Sequence, residues 1–85
     1  MKLTFKNSAV VKDFFDLAED RQLFKSLKKI LRDIDRHPFT GIGKPEKLKG
    51  RPGEWSRRID GYHRLVYEIE NDEIIITECG KHYED

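Results

Sequence analysis

Glu46, Arg64 and the adjacent His82 and Tyr83 are of types that could act together on one phosphodiester, as a base, a cation and an acid. A base removes the proton from a 2′-hydroxyl, which then attacks the neighbouring phosphorus. An acid protonates the departing 5′-oxygen, and a cation holds the charge that builds on the phosphoryl oxygens. The four residues are suited to those tasks. Spacing alone does not single them out, because 39% of the 85 residues are charged and many such combinations exist. The lone Cys79 cannot form an internal disulfide, and no set of thiols and imidazoles has zinc spacing. The chemistry expected of these groups therefore calls for no metal and no cofactor.

The elements that must position them are legible from periodicity. Lys2 to Lys6 alternates, with Leu3 and Phe5 on one face, and predicts a short strand. Asn7-Ser8 offers a helix cap, followed by apolar residues at helical spacing from Ala9 to about Glu19. A second helix is expected from about Asp20 to Arg36, where Leu23, Phe24, Leu27, Ile30, Leu31 and Ile34 form an apolar stripe. His37-Pro38 stops it. Phe39 to Gly53 holds four glycines and two further prolines and reads as loop. Strands follow at Trp55–Ile59, His63–Ile69 and Glu73–Cys79, the last two joined by a hairpin turn at Asn71-Asp72. Leu65, Tyr67 and Ile69 share the core face of their strand, and Cys79 reads as a small buried hydrophobe. One strand, two helices and three antiparallel strands predict a single α+β domain over residues 1–85, with both helices on one face of the sheet.

A net charge of +1 hides a sorted distribution. Residues 44–64 carry seven Lys and Arg against three carboxylates, whereas residues 65–85 carry one Lys against seven. A locally basic middle segment suits a polyanion, because Lys and Arg bind phosphates and release their counterions; solvated surface accounts for it as well. No long apolar run follows the N-terminus, which predicts neither a signal peptide nor a membrane span and fits a reducing cytoplasmic setting.

Four segments, in order and with matching separations, carry a family resemblance: Pro38 to Lys49, Trp55 to Ile59, His63 to Tyr67, and His82-Tyr83. They resemble the YoeB (Txe) toxins of the wider RelE-type superfamily. The resemblance implies a microbial-RNase α+β fold, cleavage of messenger RNA in the ribosomal A site, and inhibition by a cognate antitoxin that folds over the active surface. Operator DNA would be met only through the antitoxin complex, and similar toxins often dimerise. Carried over, Glu46 would be the general base and His82 the general acid. Arg64 would stabilise the phosphoryl charge, and Tyr83 would orient the substrate or share the proton transfer. Lys44, Lys47, Lys49, Arg57 and Arg58 would hold RNA phosphates. The non-catalytic alternative is a RelE-fold protein that acts with its antitoxin only as a transcriptional co-repressor.

Plainer roles stand beside these. A surface ion pair with Lys44 or Lys47 accounts for Glu46, and Arg64 could pair with Glu78. Trp55 serves packing as readily as base stacking, and His63 reads as a strand-end residue. Relatives commonly carry an acidic or polar residue where Tyr62 stands, and many stop before the equivalent of Glu84-Asp85. Geometry adds a difficulty. A two-residue turn at Asn71-Asp72 sets position 64 opposite 79, so Arg64, Cys79, Lys81 and Tyr83 would share a face and His82 would take the other. The scheme requires a bulge, or a chain that leaves the sheet before His82, and Gly80 is suited to either.

Overall fold

The computed structural model describes residues 1–81, and of Lys81 the backbone only. Chain order is β1 (Lys2–Phe5), α1 (Ser8–Ala18), α2 (Arg21–Arg36), β2 (Glu46–Lys47), β3 (Trp55–Arg58), β4 (His63–Glu70) and β5 (Glu73–Lys81). Both helices start on side-chain caps. Asn7 Oδ1 accepts from Val10 N at 3.0 Å and Asp20 Oδ1 from Leu23 N at 3.0 Å, each meeting a donor the first helical turn leaves without a partner. The helix pair packs on one face of a five-stranded sheet ordered β1-β5-β4-β3-β2. Val10, Phe14 and Leu17 from α1 meet Leu27, Ile30 and Ile34 from α2 over Leu65, Tyr67, Ile74, Ile76 and Cys79. Among the described residues no helix is long and apolar enough to cross a membrane.

The α+β class and the helix boundaries agree with the sequence reading, while the sheet departs from it in three ways. β1 lies parallel to β5, with Lys2 opposite Glu73 and Phe5 opposite Ile76. A two-residue strand, β2, forms inside the expected loop and pairs Glu46 with Ser56 and Lys47 with Trp55. The third departure is a bulge. Asn71 and Asp72 take positive φ (50° and 60°), as a two-residue hairpin turn of matching twist requires, and pairing runs evenly from Glu70↔Glu73 to Tyr67↔Ile76. Val66 then pairs with Glu78, so Thr77 is the extra residue. Beyond it Leu65 faces Cys79 and Arg64 faces Gly80. Cys79 accordingly joins the helix-side core at 6% exposure instead of sharing a face with Arg64. The bulge sits at Thr77, not at Gly80.

Candidate active site

Directly paired residues project to the same face of a sheet. The register therefore collects Glu46, Ser56, Arg58, Arg64 and Val66 on the face opposite the helices. Ser56 and Val66, 2% and 1% exposed, form its floor. Glu46 and Arg58 are exposed above it, and Arg64 is half-buried. Strands about 4.8 Å apart and two residues of offset put the Glu46 and Arg64 backbones about 12 Å from each other.

The arginines of this face are not neutralised by carboxylates among the described residues. Arg58 and Arg64 stand directly opposite each other on neighbouring strands, a like-charge pairing that is ordinarily unfavourable. Neither has a carboxylate partner among the described residues, and Glu46 likewise has no ion pair there. The Glu78 expected as an alternative partner for Arg64 is bound at 3.0 Å by Arg51. Arg64 Nη1 donates to Ser56 Oγ at a long 3.4 Å, and its buried Nε–H has no acceptor in the described residues. A buried donor left in this way costs about 1–3 kcal/mol, which an incoming oxygen acceptor would recover.

One wall is the loop preceding β3. Arg51 Nη2 donates to Glu54 Oε1 at 2.8 Å, and Thr77 Oγ1, at the bulge, donates to the same oxygen at 2.7 Å. Burial works against the Glu54 charge, but the Arg51 and Thr77 hydrogen bonds outweigh it and hold the carboxyl below its usual range. The bulge residue thus ties the loop to the strand whose register it resets.

Arg57 corrects the sequence reading. It alternates away from Arg58, points among the helices and is 0% exposed, so it cannot hold RNA phosphates. All its donors are engaged inside the protein. Nε donates to Tyr67 Oη at 3.2 Å, and Nη1 to the Asp33 carboxylate and to Ile42 O at 3.1 Å. Nη2 donates to His37 O and to Thr40 O at 2.8 Å. Tyr67 Oη in turn donates to Pro38 O at 2.6 Å, and Ile42 N donates to Asp33 Oδ2 at 3.1 Å. The Arg57 hydrogen bond holds the Asp33 carboxyl below its usual range. One interior guanidinium therefore gathers segment 37–42. The next residue, Gly43, accepts from Arg58 N at 2.7 Å and leads into the strand that carries Glu46. Sequence reasoning missed this anchor and the Ser56 floor, yet a signal was present: alternation with Trp55 and Ile59 puts Arg57 on the apolar side of β3.

The remaining expected phosphate ligands are dispersed. Lys44 and Lys49 are exposed on either side of β2, whereas Lys47 pairs with Trp55 and so occupies the face opposite Glu46. Trp55 packs on Phe39, with ring centroids 4.8 Å apart. His63 Nδ1 lies 3.1 Å from Asp60 Oδ1 at the start of β4, a strand-end contact. His82 and Tyr83 lie outside the described residues. Among the described residues no group of three His, Cys, Asp or Glu could hold a metal ion.

Comparison with known proteins places the chain among relatives. Residues 5–83 match the model of a family described as YoeB-like toxin of bacterial type II toxin–antitoxin system. Toxin YoeB of Streptomyces coelicolor is 45% identical over 85 residues, covering 98% of this chain and 100% of that one. YoeB of Staphylococcus aureus, solved in complex with YefM, superposes with a TM-score of 0.81 at 38% identity and 98% coverage of both chains. Its dimer structure gives 0.82 at 39%, again with 98% coverage of both. Isolated Escherichia coli RelE shares the fold, with a TM-score of 0.73 at 22% identity over 99% of this chain and 86% of that one.

Proposed function

Because the chain belongs to the YoeB-like toxins of bacterial type II toxin–antitoxin systems, we propose that it is a ribosome-dependent endoribonuclease that cuts messenger RNA by acid–base chemistry without a metal. Glu46 takes the proton from the 2′-hydroxyl, and the freed oxygen attacks the adjacent phosphorus. Arg64, with Arg58 beside it, receives the phosphoryl oxygens; a guanidinium fork suits two of them at once. His82 protonates the 5′-oxygen as the P–O bond breaks, and Tyr83 orients the strand or assists that transfer. The roles of His82 and Tyr83 rest on their match to the family motif. The products are a 5′-hydroxyl and a 2′,3′-cyclic phosphate that can open to a 3′-phosphate. Lys44 and Lys49 hold flanking phosphates; Lys47, across the sheet from Glu46, has the weaker claim.

The observation that supports this reading is the Arg58–Arg64 pair. Two cations face each other over a floor of Ser56 and Val66, beside an unpaired Glu46. A phosphodiester relieves the repulsion and supplies the acceptor that Arg64 Nε lacks. A histidine has an unperturbed pKa of about 6.5, so at cellular pH it carries a proton for part of the time and releases it readily. The partners that fit are a cognate antitoxin, the ribosome and its message in the cytoplasm, operator DNA through the antitoxin complex, and a second copy of the chain.

The test is induced expression in bacteria of the wild type, Glu46→Gln and His82→Ala, with mapping of messenger 5′ ends. Cuts positioned by reading frame are expected from the wild type and lost in both variants. Equal growth arrest by all three proteins without cuts would replace the nuclease with a protein that only binds.

A further inference from the structure

The outer face of α2 carries charge of one sign. The helix holds six basic residues and two acidic ones, and both acids are engaged: Asp33 by Arg57, Asp35 by the N-terminal ammonium. Lys25, Lys29, Arg32 and Arg36 recur at intervals of four, three and four, which sets them in one row opposite the buried Leu27, Ile30 and Ile34. All four are exposed, and no carboxylate among the described residues pairs with any of them. At 1.5 Å per residue the row is about 17 Å long. Acid–base pairs at such intervals would stabilise a helix face by about 0.2–0.5 kcal/mol each; among the described residues this row has none. Shallow hollows border it at Ile42 and Gly43, and one reaches Arg58.

We propose that this row is a second RNA-docking surface, binding the phosphate backbone of folded ribosomal RNA while the opposite face of the sheet holds the strand to be cut. The inference rests on the reading that the toxin works on ribosomes. The geometry suits a clamp: α2 packs on one side of the sheet and Glu46 and Arg64 lie on the other, in a molecule 29 × 29 × 26 Å across. Bound on two sides, the protein would be oriented by one RNA against another, and its preference for ribosome-bound message would follow from the row instead of from the site.

The test is co-sedimentation with purified, message-free 70S ribosomes, wild type against Lys25→Gln/Lys29→Gln/Arg32→Gln/Arg36→Gln. The substituted side chains are exposed, glutamine is a good helix former, and thermal melting verifies the fold. Four phosphate contacts predict that wild-type affinity falls by roughly 150-fold more than that of the variant between 50 and 200 mM salt. A Lys25→Arg/Lys29→Arg protein should retain wild-type binding. Unchanged affinity and salt dependence in the four-site variant would overturn the proposal. So would a variant defect seen on polyglutamate but not on ribosomes, since that points to an acidic protein partner. A wild type that binds ribosomes through the row but cuts no programmed message would count against the nuclease reading and leave the docking surface standing.

Discussion

Arg57→Met should remove a large share of the stability of this domain. The side chain is 0% exposed and donates to five acceptors, one of them the Asp33 carboxylate. Methionine fills similar volume but leaves that carboxylate without its cation and three loop carbonyls without a donor. Removing one partner of a buried ion pair costs about 3–5 kcal/mol. At about 0.05–0.15 kcal/mol per residue, an 85-residue chain has roughly 4–13 kcal/mol in all, so the loss is a large share of it. Urea unfolding should show a lower midpoint at unchanged slope, the mark of lost stability without lost compactness. Tyr67→Phe removes only the Pro38 and Arg57 Nε contacts and should cost about 1–2 kcal/mol. Acid sensitivity supplies a second reading. The folded Asp33 carboxyl lies below its unfolded value, so its contribution is complete above about pH 4 and disappears as pH falls through the lower folded value. Asp33→Asn should therefore cost stability at pH 7 and flatten the acid limb below pH 4. An Arg57→Met protein within about 1 kcal/mol of the wild type, with an unaltered acid limb, would refute the assignment of Arg57 as the anchor of segment 37–42.

Two further outcomes follow from the same geometry. Gly41 has φ of 120° and an added Cβ would lie 2.0 Å from Asp33 Oδ2, so Gly41→Ala should lower the unfolding free energy measured in urea by at least about 2 kcal/mol; a neutral result would mean that the loop does not sit against Asp33. Burial pushes the Cys79 thiol up to about 12, so at pH 8 the native protein should resist a thiol reagent for as long as it stays folded, and labelling should track global unfolding. Fast labelling of folded protein would contradict its place under α1.

Which parts of this molecule could be read from sequence depends on whether a one-residue choice was visible. The stripes of α1 and α2, their Asn7 and Asp20 caps and the Asn71-Asp72 turn each declare themselves locally. The bulge does not, because Ile74-Ile75-Ile76-Thr77 reads as an uninterrupted buried strand and Thr77 is joined to Glu54, 23 residues away. That single extra residue decides the faces taken by Glu78 and Cys79, and it moves Cys79 into the core. β2 was equally hidden: two residues of pairing in a glycine- and proline-rich loop have no period to detect, and Gly43 and Arg57 hold them there from outside. Arg57 and Arg58 show the same principle from the opposite direction. Equal as letters, they are separated by the pleat, one turned among apolar side chains where only a full set of acceptors makes a guanidinium tolerable, the other on the Arg64 face, where no carboxylate among the described residues pairs with it. The satisfied arginine fixes the segment that leads to Glu46, and the like-charged pair is left on the other face. A swap of these roles is not open to the sequence, since shifting β3 by one residue would expose Trp55 and Ile59 as it buried Arg58. The apolar residues of one strand thus determine which arginine anchors the fold and which is left facing Arg64.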